Sequence, residues 1–262
     1  MQKFFSHTFS QNIWRILPHP DPDKNQWAVE LREITQKKVS FAIIDLDTQE
    51  LKWITSPEGT DWWTSMTGFA GNHIFLHHYR YPELPEPTDL SVLCSKTGDL
   101  VWTLPNYVLV RALEGQYIEL AQKVGDGFRY VKCDANGGKI IPGEYVFEND
   151  DRIIFKQPVR YKDGNIYFER LSKFLQANCD INNPICIDYL DLRPYLVFSY
   201  YIYNRDKVAQ YLLVVTDKGD SVIHEMISEG RNGLGQSTIL LKDSTLVYLK
   251  NSTEFKSLKL SQ

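Results

Sequence analysis

The chain has 262 residues, of which 43% are hydrophobic and 13% aromatic, and its formal net charge is −4. This balance provides no basic field, so we do not expect nucleic acid as a partner. No stretch approaches the roughly 18 apolar residues of a membrane span, and the N-terminal residues contain no apolar segment of signal-peptide length. The sequence therefore predicts a cytoplasmic protein that does not associate with a membrane.

Strand-like segments return at regular intervals along the chain. Turn residues that accept positive φ, such as Asn136, Gly137 and Gly138, recur at the hairpins between them. Self-similarity on a period of roughly 40–50 residues is typical of repeat architectures. A turn followed by an apolar run begins at six positions: Asn25, Asn72, Gly115, Asp151, Arg193 and Ser244.

In chain order, the pattern predicts a spare first strand at residues 3–9 and then units of four strands. The strands predicted for the first three units are 12–17, 27–33, 38–46 and 50–55, then 62–69, 73–80, 90–96 and 100–104, then 107–113, 116–122, 127–134 and 138–141. A fourth unit is predicted at 144–180, with a degenerate hairpin near 172–180, although residues 165–178 also admit a helical turn. The fifth and sixth units use 185–190, 195–204, 208–216 and 221–228, then 237–241, 245–250 and 254–260.

Six units of about 44 residues have the length of four-stranded propeller blades. The sixth unit has only three strands, so the spare strand at residues 3–9 would complete it and close the ring, which removes exposed sheet edges. We therefore predict an all-β protein with a single domain over residues 1–262, a β-propeller with six four-stranded blades closed by the N-terminal strand. Five or seven blades and a β-sandwich are the alternatives.

One nine-residue phrase carries a family resemblance. Residues 45–53, DLDTQELKW, match the pattern D-x-x-T-G-x-x-x-W except at Gln49, and residues 94–102, CSKTGDLVW, match it except at Cys94. The pattern resembles the repeats of quinoprotein-type (PQQ-like) β-propellers. The chain is also similar to uncharacterised single-domain bacterial propellers of unknown function, which implies a bacterial protein. The resemblance covers two units by sequence and the others by spacing alone.

The resemblance implies a structural role for Trp53 and Trp102, because in that superfamily these tryptophans pack between neighbouring blades. The quinone-dependent dehydrogenases of the superfamily have more blades and a dedicated set of cofactor ligands. No such set is found in this sequence. We therefore predict no cofactor.

The usual signatures of catalysis and of metal sites are missing. The sequence has no GxSxG elbow, P-loop, HExxH or dinucleotide fingerprint, so no catalytic residue is predicted. His73 and His77 share one face of a predicted strand, but a zinc site needs a third ligand, so no metal is predicted. Cys179 and Cys186 could form a disulfide or contribute to a metal site, yet two reduced thiols suit a cytoplasmic protein better, and their redox state stays open.

Candidate ligand-binding residues lie in the connections that enter each inner strand and follow each second strand. In a propeller these connections gather on one face, where concave sites form. Aromatic side chains beside arginines suit stacking on a sugar or a peptide. Trp62 and Trp63 begin a predicted inner strand, so one of them is alternatively a core residue. The predicted site residues are Asp61, Trp62, Trp63, Arg80, Tyr81, Tyr107, Arg231 and Asn232.

Two hypotheses of function follow. The leading one is a non-catalytic, monomeric propeller that binds an unidentified protein or small-molecule ligand on its loop-rich face. The alternative is a hydrolase or lyase that acts on a glycoside or lactone at the central channel. It would use Asp61 with a second carboxylate, and a pair about 5–10 Å apart serves such hydrolysis. The candidates for that second carboxylate are Glu58, Glu83 and Glu229.

Overall fold

The computed structural model describes residues 4–81, 83–84, 86–143, 155–235 and 238–260. These residues form many short strands and one helix. In chain order they are β1 (Phe4–Thr8), β2 (Asn12–Pro18), β3 (Gln26–Glu33), β4 (Lys38–Asp45), β5 (Glu50–Thr55), β6 (Ser65–Ala70), β7 (His73–His78), β8 (Asp89–Cys94), β9 (Leu100–Pro105), β10 (Val108–Ala112), β11 (Tyr117–Val124), β12 (Gly127–Asp134), β13 (Lys139–Ile141), β14 (Val159–Lys162), α1 (Ile166–Cys179), β15 (Cys186–Leu192), β16 (Tyr195–Asn204), β17 (Lys207–Thr216), β18 (Ser221–Arg231), β19 (Ile239–Lys242), β20 (Thr245–Lys250) and β21 (Glu254–Lys259).

The described strands assemble into five antiparallel sheets, which confirms the all-β prediction. Sheet 1 is β2-β3-β4-β5, sheet 2 is β6-β7-β8-β9 and sheet 3 is β10-β11-β12-β13. Sheet 4 has five strands in the order β14-β15-β16-β17-β18, and sheet 5 is β1-β21-β20-β19. The strands predicted for the first, second, third, fifth and sixth units all occur, with ends shifted by a few residues.

The chain divides into two compact units. The N-terminal unit is Gln11–Ile154 and contains sheets 1, 2 and 3. The C-terminal unit combines Met1–Ser10 with Phe155–Gln262 and contains sheets 4 and 5 and helix α1. No helix of the described residues has the length and apolar character needed to cross a membrane.

Period-two alternation builds the core of the N-terminal unit, because successive side chains of a strand point to opposite faces of its sheet. Ile74 on one face of sheet 2 belongs to a buried cluster with Phe41 of sheet 1. Its neighbour Phe75, on the other face, belongs to a second cluster with Leu120 and Cys133 of sheet 3. Sheet 2 is therefore covered on both faces by its neighbours.

The two tryptophans of the repeated phrase join consecutive sheets. Nε1 of Trp53, on β5, donates to the carbonyl oxygen of Ser95 in the β8–β9 turn, at 2.9 Å. Nε1 of Trp102, on β9, donates to the carbonyl oxygen of Ala135 in the β12–β13 turn, at 2.8 Å. Each indole thus packs against the sheet that follows its own, as the family resemblance implies.

In the C-terminal unit, the opening strand pairs with the closing one. β1 runs antiparallel to β21, with Phe4 opposite Leu258 and Thr8 opposite Glu254. This pairing confirms the prediction that a spare N-terminal strand completes the last sheet. Sheets 4 and 5 share one buried cluster, which includes Val197 of β16 and Tyr248 of β20.

The predicted fourth unit differs from the structure. Residues 144–154 lie outside the described residues, and β14 joins sheet 4 as its edge strand. The hairpin predicted near 172–180 is wrong, because helix α1 occupies those positions. The described residues therefore contain five sheets rather than the six predicted.

Local sequence explains why the helix forms. The side chain of Asn165 caps its N-terminus by accepting a hydrogen bond from the backbone N–H of Tyr167, at 2.8 Å. Phe168 and Leu175, seven residues apart, fall on one helical face and are buried against sheet 4. Asp180, in the left-handed conformation, ends the helix.

Candidate functional site

One end of the N-terminal unit carries the connections between its second and third strands and those between its sheets. We call this the loop end; it comprises residues 34–37, 56–64, 79–88 (with 82 and 85 outside the described residues), 106–107 and 125–126. Side chains near the ends of β3 and β7 reach the next sheet here. Oε2 of Glu30 accepts from the backbone N–H of Met66 at 2.8 Å, and Nε2 of His77 accepts from that of Leu109 at 2.9 Å.

Several connections of the loop end hold large exposed apolar side chains. The six turns at the opposite end of the same sheets hold no exposed large apolar side chain among the residues described. Folded monomers rarely leave such side chains grouped without a use. Within the loop end as defined above, these residues are Ile34, Trp63, Tyr81 and Leu84.

Asp61 stabilises the turn that presents Trp63. Its Oδ1 accepts from the backbone N–H groups of Trp63 and Thr64, both at 2.9 Å, and from the Thr64 hydroxyl at 3.1 Å. This is the usual role of an aspartate at a turn. Trp63 is left 49% exposed. One carboxylate oxygen of Asp61 therefore stabilises the turn, and both Asp61 and the Trp63 indole are exposed.

Trp62 is engaged by the protein itself. The guanidinium of Arg32 lies 5.1 Å from the centre of the Trp62 ring and 5.8 Å from that of Trp14. The same guanidinium forms an ion pair with Glu30 at 2.6 Å and donates to the carbonyl oxygens of Trp62 and Thr64. Trp62 is therefore held by contacts within the protein. The prediction that an inner strand begins at Trp62 and Trp63 is wrong, because both lie in the connection before β6, where Trp62 is half-buried and Trp63 exposed.

Arg80 and the connection before β10 meet at one carboxylate. Nη2 of Arg80 donates to Oδ1 of Asp89 at 2.6 Å, and the backbone N–H of Asn106 donates to the same oxygen at 2.9 Å. Burial alone would raise the pKa of Asp89, but hydrogen bonds from Asn106, Thr88 and Arg80 outweigh it and hold that pKa below its ordinary value. Asp89 thus stays ionised and ties the 79–88 loop to the 106–107 connection.

Tyr81 and Tyr107 differ in exposure. Tyr81 is 49% exposed, next to the Arg80–Asp89 ion pair. Tyr107 is half-buried and packs against the core cluster shared by sheets 2 and 3. Of the two predicted tyrosines, Tyr81 is the one placed to contact a ligand.

A polar network connects these turns beneath the surface. Nδ1 of His78 lies 3.3 Å from the Thr64 hydroxyl, and its Nε2 lies 2.8 Å from the Ser91 hydroxyl. The carbonyl oxygen of His78 accepts from the backbone N–H of Thr88 at 2.8 Å, and the Thr88 hydroxyl accepts from the backbone N–H of Arg80 at 3.0 Å. The turn of Asp61 and the loop of Arg80 are therefore positioned by one continuous set of bonds.

Arg231 and Asn232 belong to the C-terminal unit and are described by themselves. Nη1 of Arg231 donates to Oε1 of Gln210 at 2.8 Å, and its guanidinium lies against Gly235. The Asn232 side chain accepts from Nζ of Lys207. Both residues therefore position the loop that follows β18.

A buried ionic cluster in the same unit was not anticipated from the sequence. Arg160 of β14 forms a two-pronged pair with the buried Asp188, at 2.6 and 2.8 Å, and the Tyr201 hydroxyl donates to Oδ2 of that aspartate at 2.9 Å. Nη1 of Arg160 also donates to the carbonyl oxygen of Gly235 at 2.6 Å. An aspartate inside the apolar run of β15 was the available signal, because such a group needs a buried partner.

The histidines and cysteines weighed as metal or disulfide candidates have other surroundings. Nε2 of His77 is occupied by the Leu109 backbone. Cys179 and Cys186 are free thiols, the first half-buried and the second buried. Across the part of the chain that the structure describes, no three His, Cys, Asp or Glu side chains are grouped to hold a metal ion.

Comparison with known proteins identifies one partial family match. A family model described as a domain of unknown function (DUF4905) matches residues 20–102. This stretch extends from the turn before β3 to Trp102, so it contains both copies of the repeated phrase. No curated protein matches the chain.

Several solved structures are similar at low identity. BamB from Moraxella catarrhalis is 10% identical, with 93% of this chain and 84% of that chain covered and a TM-score of 0.34. A member of the DUF4221 family from Bacteroides vulgatus is 11% identical, with 99% and 96% covered and a TM-score of 0.38. The β-propeller domain of the Trilobed protease from Pyrococcus furiosus is 10% identical, with 94% and 65% covered and a TM-score of 0.33.

Proposed function

We propose that the chain is a β-propeller of the quinoprotein-like class that works without catalysis, as a scaffold whose loop end binds a protein or a small-molecule ligand. The five sheets would be blades, and the pairing of β1 with β21 would close the ring. The proposal includes a monomer in the cytoplasm that needs no cofactor. Such a scaffold suits binding because its connections vary while its sheets keep the fold.

The observation that carries the proposal is the group of exposed apolar side chains at the loop end of the N-terminal unit. Trp63 and Tyr81 are each 49% exposed, and each stands beside a turn that hydrogen bonds hold in place. A rigid aromatic side chain loses little conformational entropy on binding, so it makes an efficient contact. Aromatic contacts of this kind are typical of protein interfaces and of ligand sites.

The alternative of a hydrolase or lyase gains no support from Asp61. The hydrogen bonds of its carboxylate among the residues described go to Trp63 and Thr64. These bonds account for Asp61 as a turn residue.

Site-specific photo-crosslinking tests the proposal. A photoreactive amino acid is placed at Trp63 in one variant and at Tyr81 in another, and each variant is expressed in the native host and irradiated. We expect both to capture the same molecule. The double variant Trp63→Ser, Tyr81→Ser should then bind that molecule at least about tenfold more weakly, because hot-spot aromatic residues contribute 2 kcal/mol or more.

A matched control lies on β9, where Leu100 and Val101 are exposed apolar residues outside the loop end. The double variant Leu100→Ser, Val101→Ser should keep its binding. The proposal is refuted if the loop-end positions capture nothing that a photoreactive residue at Val101 does not also capture. Equal loss of binding in the two double variants would refute it as well.

A further inference from the structure

Helix α1 is the one element of the described residues that is not a strand, and it stands between β14 and β15 of sheet 4. The sheets need no helix for their own pairing. An insertion that departs from a repeat is a place where a function can be added to a scaffold. The surroundings of this helix are therefore a candidate site separate from the loop end.

A surface cavity of about 360 Å³ lies between α1 and residues 181–184, entirely within the C-terminal unit. Packing fixes the helix on one side of it, because Phe174 stacks on Phe198 of β16 with ring centres 5.3 Å apart. Leu175 is fully buried on the same helix face. The cavity is thus preformed, and its volume is in the range of small-molecule sites.

Part of the cavity lining is apolar. Phe168, Ile181 and Pro184 line it, and the first two belong to the buried cluster under the helix. Because these residues are held by the core, they form a fixed apolar patch on the cavity wall. A ligand with one apolar face can lie against this patch.

The rest of the lining consists of hydrogen-bonding side chains whose charges cancel. Glu169 and Lys173 are one helical turn apart and both line the cavity, yet no ion pair joins them among the contacts of the described residues. Three carboxamides, those of Gln176, Asn182 and Asn183, complete the polar lining. Each carboxamide offers donors and an acceptor, so the set complements ligand hydroxyl groups, which also both donate and accept.

We propose that this cavity binds a neutral, hydroxyl-rich molecule of the monosaccharide class. The apolar face of the sugar ring would lie on Phe168, Ile181 and Pro184, and its hydroxyl groups would bond the carboxamides and the two charged side chains. The cancelling charges disfavour an anionic or cationic ligand. The proposal does not depend on the loop end, which is in the other unit.

Saturation-transfer NMR tests this assignment on the full chain. The probes are D-glucose, D-galactose, D-mannose and N-acetyl-D-glucosamine, with glycerol and L-leucine as comparison compounds. We expect saturation to pass from the protein to at least one sugar and to neither comparison compound. Gln176→Leu and Asn182→Leu should each weaken binding of the sugar by up to about tenfold, the effect of one lost hydrogen bond.

Arg170→Leu is the matched control for Gln176→Leu, because Arg170 is exposed on the same helix and does not line the cavity. Its sugar binding should be unchanged. Gln176 and Asn182 are exposed, so both cavity variants should keep the unfolding midpoint of the wild type, which separates lost binding from lost folding. Transfer to no sugar, transfer to leucine alone, or equal transfer in the wild type and both cavity variants would each overturn the proposal.

Discussion

The indole of Trp53 lies directly over Gly98, so a Cβ added at Gly98 would come within 2.9 Å of ring atom Cε3. The same relationship recurs one sheet later, where a Cβ on Gly138 would come within 2.9 Å of Cδ2 of Trp102. Both glycines also have positive φ, at 81° and 67°. Two conditions, a left-handed turn and a close indole, therefore select glycine at this position of the repeat.

Gly98→Ala should lower the free energy of unfolding by about 2–4 kcal/mol. The left-handed backbone costs a residue with a Cβ about 1–2 kcal/mol, and overpacking against the Trp53 ring adds about 1–2 kcal/mol more. Equilibrium unfolding in urea, compared with the wild type, measures the difference.

Gly59 provides the control, because its φ of 79° nearly equals that of Gly98 while nothing lies within 4 Å of its added Cβ. Gly59→Ala should therefore show only the backbone part, about 1–2 kcal/mol. Equal losses of unfolding free energy in Gly98→Ala and Gly59→Ala would mean that the contact with Trp53 does not contribute to the cost of the Gly98 substitution.

The strands were predictable from the sequence because their signals are local. Alternating apolar residues and turn residues form patterns within about ten positions, so β7, β8 and β9 begin within one residue of their predicted starts, while β6 begins three residues later than predicted. Even Gln49, which departs from the glycine of the repeated phrase, keeps the left-handed turn with φ of 58°.

The remaining features depend on contacts between distant residues. Trp62 is engaged by Arg32, thirty residues earlier, and no local pattern reveals that partner. The sequence predicts only a helical turn in this region, not the full helix at 166–179. The burial of that helix depends on sheet 4, which is formed mainly by later residues. Of the predicted site residues, Trp63 and Tyr81 are the exposed aromatic ones, while Asp61 and Tyr107 have structural roles.

Cys94 should be the thiol that reacts first with iodoacetamide at neutral pH. Burial alone would raise its pKa, but hydrogen bonds from the Lys96 and Thr97 backbone N–H groups and the Thr97 hydroxyl outweigh it and lower that pKa. Burial raises the pKa of Cys133 to about 11 and also raises the pKa values of Cys179 and Cys186. Mass spectrometry over a time course identifies the order of modification.

Cys94→Ser is the control for this order, since it should abolish the fastest phase and leave the slower ones unchanged. Ser also accepts hydrogen bonds from the turn, so the fold should be kept. If Cys133 or Cys186 is modified as fast as Cys94 in the folded wild type, the hydrogen bonds at the turn do not activate the thiol.

Glu30→Gln should destabilise the protein by about 3–5 kcal/mol, because it leaves the buried guanidinium of Arg32 without its carboxylate. The side chains of Glu30 and Arg32 are 0% and 7% exposed. Lys123→Met removes a pair with Glu86 in which both side chains are about 60% exposed, and it should cost less than about 1 kcal/mol. Denaturant midpoints of the two variants compare the pairs, and similar losses would contradict the role assigned to Glu30.

Stability should fall as the pH falls from 6.5 towards 4, in part because of His77. Burial, the neighbouring His78 and Arg15 lower the pKa of His77 to about 4 in the folded protein, from an ordinary value of 6.5. The unfolded chain therefore binds a proton before the folded one does, and each proton bound there favours unfolding. The stability that the neutral His77 contributes is fully present above pH 6.5. At pH 4 the free energy of unfolding has fallen by up to about 3 kcal/mol on this account.

The variant His77→Gln isolates this contribution, because an amide oxygen can accept the Leu109 N–H bond in place of Nε2 but does not titrate. We expect the unfolding free energy of His77→Gln to depend less steeply on pH between 6.5 and 4 than that of the wild type, while the two agree more closely near pH 7. His73 and His78, whose pKa values burial also lowers, titrate in both proteins and cancel in the comparison. Parallel pH profiles would show that the proton taken up on unfolding does not belong to His77, and that the bond between β7 and β10 tolerates a charged ring.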